Sequence, residues 1–179
     1  MTSRSIAQCG LCCALLACSA WVTIPFGPVP FTLQTLAVAL VPQVLGRREA
    51  VFTVAAYLVL GAIGLPVFSG FQGGIGVLAG PTGGFLWGFL VGMVPAATIM
   101  GISRMPRAAA AGLGCAALLL ISYALGTLQI MFVGGMELPA ALAVAVLPFV
   151  VPDIVKLIAA CALARAVNHA LAASNVARS

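Results

Sequence analysis

Long uncharged apolar runs alternate with short connections that hold most of the charge in this chain. Only 6% of the 179 residues are charged and 63% are hydrophobic, whereas soluble domains carry about 25% charged residues. A surface facing water cannot be built from this composition. We therefore predict an all-α integral membrane protein, with residues 1–179 forming a single multi-pass domain. The short connections leave no room for a soluble catalytic domain, and they make nucleic acid an unsuitable partner.

Prolines, glycines and charged residues divide the apolar runs. An apolar stretch at 138–151 is interrupted by Pro148 and is too short for a full crossing, so we expect a re-entrant or interfacial helix there. Pro152 and Asp153 are typical of a helix start, because proline pre-sets φ and a carboxylate is favourable at the positive helix end. We predict six transmembrane helices, at about 6–21, 32–45, 50–63, 85–102, 108–133 and 152–169.

The basic residues predict the orientation. Six crossings place all the arginines on one side of the membrane: Arg4, Arg47, Arg48, Arg104, Arg107, Arg165 and Arg178. The opposite connections contain Glu137 and neither Lys nor Arg. Cytoplasmic connections are enriched in Lys and Arg, so we expect both termini to be cytoplasmic, in a bacterial cytoplasmic (inner) membrane. An odd number of crossings would place Arg178 outside.

Asp153 and Lys156 are the chain's strongest candidates for a binding site. They are three residues apart on a predicted helix and therefore share a face. A charged side chain at membrane depth costs about 2.5–3.5 kcal/mol on insertion scales and is a functional-site hypothesis by default. We interpret the two residues as a polar recognition pair for a ligand entering from outside. The alternative is a neutralised ion pair that pins the last helix to the outer loops.

Further polar and aromatic residues flank this pair in the predicted outer loops. Gln72 and Thr82 belong to a glycine-rich connection that lacks the G-x-x-x-x-G-K-[ST] nucleotide motif; each of them either binds a ligand or faces water. Gln34 needs a partner inside its apolar helix, which is a neighbouring helix or a ligand. Phe31 ends a proline-rich loop that we expect to form a rigid apolar flap.

Small residues recur on the first predicted helix. Gly10, Ala14 and Cys18 are spaced by four residues, which permits close helix approach. We favour internal packing for this stripe, with a docking surface for another membrane protein as the alternative. The six cysteines are interpreted as small hydrophobes, not as a metal site, because zinc usually needs four N or S ligands and the single histidine, His169, lies at the far end of the chain.

Enzyme signatures are missing from the sequence. It contains no H-E-x-x-H, no G-x-S-x-G and no carboxylate cluster for phosphoryl transfer. We therefore predict a carrier or receptor without a cofactor. Energy for uphill transport has to come from a partner or from an ion gradient.

Four segments, in order along nearly the whole chain, resemble the BioY family. They are FGPVPFTLQT at 26–35, GAIGLPVF at 61–68, GPTGGF at 80–85 and PFVVPDIVK at 148–156. BioY proteins are the biotin-specific S components, or substrate-capture subunits, of energy-coupling factor (ECF) transporters. The resemblance implies a six-transmembrane-helix S-component bundle that captures biotin from outside. It also implies delivery through an ATP-driven complex of a membrane coupling subunit (EcfT- or BioN-like) and cytoplasmic ATPase subunits (EcfA- or BioM-like), with a homo-oligomer as a further option.

The resemblance also implies roles for single residues. The family's acidic and lysine ligands fall on Asp153 and Lys156, and its loop amide has Gln72 as the candidate here. The G-P-T-G-G motif of relatives usually ends in Tyr, whereas this chain has Phe85. The small-residue stripe of helix one corresponds to the surface that S components dock on the coupling subunit.

The chemistry of biotin fits these residue types. A carboxylate only accepts hydrogen bonds and suits the ureido N–H groups, whereas an ammonium only donates and suits the ligand's carboxylate or carbonyl. Phe31, Phe68 and Phe149 are candidates for walls around its apolar part. The alternative function is a self-sufficient biotin facilitator or ion-coupled carrier working without an ATPase module; a membrane-embedded enzyme is a third and weaker option.

Overall fold

A computed structural model describes residues 1–25, 27–102 and 104–176, so that Phe26 and Arg178 lie outside the described residues. The described chain is mainly helical, and each of the six apolar runs contains a helix. The eight α-helices are α1 (Ser3–Trp21), α2 (Gln34–Val44), α3 (Arg47–Ala62), α4 (Ile75–Ala79), α5 (Gly83–Met100), α6 (Arg107–Gly134), α7 (Leu138–Ala145) and α8 (Leu147–Val176).

Four helical segments are long and apolar enough to cross a membrane. They are α1, α5, α6 and the combined stretch Leu138–Leu171. Helix α2 has 11 residues, which corresponds to about 16 Å at 1.5 Å per residue, against a hydrocarbon core about 30 Å thick. Helix α3 has 16 residues. The structure therefore shows a multi-pass membrane protein, and the count of six crossings stays a prediction.

The described arginines lie near one end of the bundle. Cys9 Sγ of α1 donates to the carbonyl of Glu49 in the first turn of α3, so the N-terminal ends of these helices are close. Asn168 Nδ2 of α8 donates to the carbonyl of Gln43 near the end of α2 at 3.0 Å. Arg107 and Arg165 line one cavity between α6 and α8. The grouping expected from the sequence is thus present in space for these residues.

The opposite end is covered by loops. Strands β1 (Thr23–Ile24) and β2 (Phe31–Thr32) pair antiparallel and form a short hairpin between α1 and α2. Trp21, the last residue of α1, stacks on Phe71 with ring centroids 5.1 Å apart, and its indole N–H donates to the carbonyl of Pro66 at 2.7 Å. These contacts tie the glycine-rich connection to the hairpin side of the bundle.

Helices α5 and α6 form a close-packed hairpin because α5 has glycine at every fourth position. Gly84, Gly88 and Gly92 are buried, and a Cβ at Gly88 would overlap the backbone of Ser122 on α6. Small residues at this spacing let two helix backbones approach closely. The hairpin thereby becomes a rigid wall for whatever lies at its loop-covered end.

The last helix begins earlier than the sequence predicts. Helix α8 starts at Leu147, directly after the break at Val146, so the predicted start at Pro152 is wrong. The missing N–H of Pro152 would have bonded to the carbonyl of Pro148, which is itself in the first turn, so the two prolines interrupt the helix little. Asp153 therefore lies in the second turn, and the first turn holds no acidic residue.

The small-residue stripe of α1 faces outwards. Gly10, Ala14 and Cys18 are exposed, and a Cβ added to Gly10 would meet nothing within 4 Å. Internal packing is made instead by the neighbouring face with Cys9 and Leu16, which belongs to the hydrophobic core. Our expectation that the stripe packs internally is wrong for the isolated chain.

Candidate functional site

A cavity opens at the loop-covered end of the bundle, between α2, α5, α6 and α8. The space between its walls amounts to about 670 Å³, open mouth included. About half of the lining residues are apolar, and the polar ones come from several elements, among them α2, α6 and α8. The lining residues are Val29, Pro30, Thr32, Gln34, Thr35, Phe68, Ser69, Val77, Thr82, Phe85, Leu86, Phe89, Leu119, Ser122, Tyr123, Ala145, Phe149, Asp153 and Lys156.

Asp153 and Lys156 form a buried ion pair in the wall of this cavity. Lys156 Nζ donates to Asp153 Oδ1 at 2.7 Å, and the two residues are 3% and 6% exposed. The other carboxylate oxygen, Oδ2, accepts a hydrogen bond from the hydroxyl of Tyr123 at 2.7 Å. Both charges are therefore compensated within the protein and face the cavity, not the lipid.

Phe31 lies against the ammonium group. Lys156 Nζ is 3.8 Å from the centroid of the Phe31 ring, and this ring stacks on Phe149 with centroids 6.3 Å apart. A desolvated cation over an aromatic face gains about 2 kcal/mol. The flap residue predicted from the sequence thus orients the lysine, although it is not among the residues that line the cavity.

The ion pair keeps binding capacity for a ligand. A carboxylate has about four acceptor sites and an ammonium has three donors, whereas among the described residues Asp153 accepts two hydrogen bonds and Lys156 donates one. The pair can therefore accept from and donate to a ligand without separating. The α8 wall of the cavity therefore offers acceptors and donors about a hydrogen-bond length apart.

Gln34 occupies an interhelical position at the cavity edge. Its side-chain N–H group donates to the hydroxyl of Tyr57 at 2.7 Å, and Tyr57 donates to the carbonyl of Val67 at 2.9 Å. The Oε1 atom of Gln34 accepts a hydrogen bond from the hydroxyl of Thr32 at 3.2 Å. Gln34 is 6% exposed and also lines the cavity, so the neighbouring helix supplies its partner and one amide hydrogen stays available to a ligand.

The two polar candidates of the glycine-rich connection separate in the structure. Thr82 lines the cavity, whereas the side chain of Gln72 is exposed and does not line it. Gln72 contacts Phe68 through the backbone instead, and Phe68 lines the cavity. The part of this connection that carries α4 is held by Gln129, whose Nε2 donates to the carbonyls of Leu78 and Gly80 at 2.8 and 2.6 Å.

Sequence reasoning missed Tyr123 and Gln129. Both are polar side chains inside the long apolar helix α6, and in a membrane such groups need a hydrogen-bond partner. The chain has only three acidic residues, of which Asp153 is the one predicted at membrane depth. That scarcity is the signal that could have paired Tyr123 with Asp153.

The fold and the cavity together define a class of protein. It is a multi-pass helical membrane protein with a small-molecule cavity at one end, in which apolar and aromatic walls meet a buried Asp–Lys–Tyr cluster. The chain belongs to the BioY family, whose sequence pattern matches residues 1–173.

Similar proteins come from bacteria and archaea. The chain is 42% identical over 169 residues to "Biotin transporter BioY" of Thermotoga maritima, covering 90% of this chain and 94% of that one. It is 37% identical over 162 residues to "Probable biotin transporter BioY" of Pyrococcus horikoshii, covering 87% and 91%. A similar protein of Rhodobacter capsulatus, "Biotin transporter BioY", is 38% identical over 180 residues, covering 92% and 93%.

The fold also has a solved counterpart. A crystal structure described as the S-component for biotin from an ECF-type ABC transporter superposes with a TM-score of 0.86 at 23% identity, covering 94% of this chain and 95% of that one. At that identity the likeness establishes the fold. The S-component architecture expected from the sequence is thereby confirmed.

Proposed function

We propose that the chain is the biotin-binding subunit of a vitamin uptake system and is not itself an enzyme. The observation that carries the proposal is the buried Asp153–Lys156 pair in the wall of the cavity, in a chain of the BioY family. Two apolar residues would serve stability as well or better, so the pair needs a ligand to account for it.

The cavity matches the chemistry of biotin. The bicycle and the valeryl chain are apolar and suit the walls around Phe85 and Phe149. The ureido N–H groups suit the acceptors of Asp153, and a ureido carbonyl or the carboxylate suits the donors of Lys156. Thr82 and Ser122 line the same space. The hydroxyl of Ser122 donates to the carbonyl of Phe85 and can still accept a hydrogen bond from a ligand.

The end of the bundle that holds the cavity supports capture from outside. The described arginines lie near the opposite end, and basic residues favour the cytoplasmic side. The mouth of the cavity then faces the exterior of a bacterial inner membrane, with six crossings and both termini in the cytoplasm.

Delivery across the membrane is assigned to partners. The exposed stripe of Gly10, Ala14 and Cys18 allows close approach of another helix, and we propose it as the contact for a membrane coupling subunit. ATP is hydrolysed by cytoplasmic ATPase subunits of the same ECF complex, since this chain lacks the residues for it.

Equilibrium binding of labelled biotin to the purified protein tests the site. We expect Lys156→Ala and Asp153→Asn each to weaken binding at least about 30-fold, because truncating one partner of a buried charge pair costs more than about 2 kcal/mol. The matched controls Arg48→Ala and Glu137→Gln remove an exposed charge of the same sign and should bind like the wild type. Unchanged affinity in both site variants would refute the assignment.

Reconstitution separates the two modes of transport. Liposomes that contain only this protein should bind labelled biotin and show no appreciable uptake into the lumen. Uptake without ATPase subunits would favour the alternative, a self-sufficient facilitator or ion-coupled carrier.

A further inference from the structure

A second cavity lies at the basic end of the bundle. It is formed by the end of α2, the end of α5, the start of α6 and the C-terminal half of α8, and it encloses about 1390 Å³ with its open mouth included. Along α8, Arg165 of this cavity is nine residues from Lys156, or about 13–14 Å. A buried layer separates the two cavities, with Val38, Val41, Met93, Leu118 and Ala160.

Basic residues converge on this second cavity. Arg107, the first residue of α6, and Arg165 and His169 of α8 line it, and none of the described lining residues is acidic. The chain has three acidic residues: Asp153 is bound to Lys156, and the other two lie on α3 and before α7. The two guanidinium groups therefore face a concave surface that an anion would neutralise.

Small side chains leave room for an anion between the basic residues. Ala108, Ala111 and Ala164 line it between the basic residues and leave space where larger side chains would fill it. Helix α6 begins here after Pro106, which offers its first turn no side-chain acceptor, and the N-terminal end of a helix carries partial positive charge. The hydrogen bond from Asn168 to the carbonyl of Gln43 fixes the rim by joining α8 to α2.

We propose that this second cavity binds a phosphate group. Arginine presents a planar fork of N–H donors that matches phosphate, often with two parallel bonds. Basic pockets between transmembrane helices on the cytoplasmic side are typical sites for anionic lipid headgroups. Orientation of the protein in the membrane requires basic residues at this end but does not require that residues nearly sixty positions apart line one concavity.

The phosphate can belong to an anionic lipid headgroup or to a soluble phosphate. In the lipid arm, the delipidated protein in neutral detergent is titrated with phosphatidylglycerol or with zwitterionic phosphatidylcholine, and bound lipid is counted by native mass spectrometry. In the soluble arm, inorganic phosphate is added to protein in phosphatidylcholine nanodiscs, and thermal stability is compared with that in chloride at equal ionic strength.

The Arg107→Gln/Arg165→Gln variant decides between the outcomes. The variant removes both guanidinium forks that would contact the same phosphate, so binding should weaken roughly 10- to 30-fold, which corresponds to about 1.4–2 kcal/mol. The matched control, Arg47→Gln/Arg48→Gln, removes the same charge at the same end of the bundle, outside the cavity, and should bind like the wild type. If the variant loses phosphatidylglycerol binding but is still stabilised by inorganic phosphate, the ligand is a lipid headgroup. If it loses only the stabilisation by inorganic phosphate, the ligand is a soluble anion.

Three results would overturn the proposal. The first is that the Arg47→Gln/Arg48→Gln control loses binding as much as the cavity variant does. The second is that the two lipids bind equally and inorganic phosphate has no effect. The third is that the cavity variant binds like the wild type while its helix content and monodispersity are intact. Both side chains are exposed, so the neutral variant should fold. If it aggregates, Arg107→Lys/Arg165→Lys keeps the charges but loses the planar fork; a weakening of less than about threefold would then count against the site.

Discussion

Removing both charges of the buried pair should avoid the loss of stability that removing either charge alone causes, and should still abolish ligand binding. Asp153 and Lys156 are 3% and 6% exposed and 2.7 Å apart. Breaking a buried pair by removing one partner costs about 3–5 kcal/mol, because the other charge stays buried and uncompensated. Replacing both partners by neutral residues of similar volume is often neutral or stabilising by about 1–4 kcal/mol.

The double variant Asp153→Asn/Lys156→Met is designed for this test. The asparagine oxygen can still accept the hydrogen bond of Tyr123, and methionine is unbranched and can keep packing against the ring of Phe31. If the single substitutions acted independently, the double variant would lose about 6–10 kcal/mol. We expect instead that its free energy of unfolding lies within about 1 kcal/mol of the wild-type value or above it, because both desolvation penalties are gone.

The measurement is equilibrium unfolding of the ligand-free protein in mixed micelles, with both single variants in parallel, followed by labelled-biotin binding. The double variant should lose at least about 100-fold in affinity, since each truncation alone removes more than about 2 kcal/mol of binding. Additive destabilisation would refute the electrostatic reasoning. Retained affinity in a stable double variant would refute the functional interpretation of the pair.

Three further predictions concern the walls of the cavity. Tyr123→Phe should cost about 1.5–3 kcal/mol in unfolding free energy, the value of a hydrogen bond to a charged group, and should weaken biotin binding in the same titration. Gly126→Ala places a methyl group on the ring of Phe85 and should cost about 1–3 kcal/mol of unfolding free energy through overpacking. The control Gly112→Ala on the same helix meets nothing within 4 Å and should be neutral or up to about 1 kcal/mol stabilising. Equal melting temperatures of these two variants would contradict the packing argument. Gln129→Leu removes one of the two hydrogen bonds accepted by each of the carbonyls of Leu78 and Gly80. At about 0.5–1.5 kcal/mol per bond it should destabilise by about 1–3 kcal/mol, with faster proteolysis of the glycine-rich connection as the local readout.

The sequence predicts the helical runs and the location of the charges well, because both depend on composition along the chain. A run of apolar residues in lipid has to satisfy its backbone internally and so forms a helix. The BioY motifs likewise placed Asp153 and Lys156 in the segment that the structure brings to the cavity. Neither inference required knowledge of side-chain packing.

Errors arose where packing decides. Pro152 is typical of a helix start, yet Leu147 to Val150 form a first turn ahead of it, and the sequence holds no signal for that turn. The outward direction of Gly10 and Ala14 depends on which face of α1 meets α3, and both faces carry small residues. Gln72 was named because of its residue type, and only the structure shows that it is exposed and does not line the cavity.

The buried layer between the two cavities bears on how a bound ligand could leave. Met93 and Ala160 are 0% exposed and Leu118 is 2% exposed, and Gly88 and Gly92 hold α5 against α6 at this level. A dense core of this kind is not continuously deformable, so a path from the cavity at the loop-covered end to the basic end would require the helices to separate. We therefore expect the isolated protein to hold its ligand at one side of the membrane and to need a partner that moves or opens it. Uptake by the protein alone in liposomes, at a rate comparable with that of the full complex, would show that the layer yields without help.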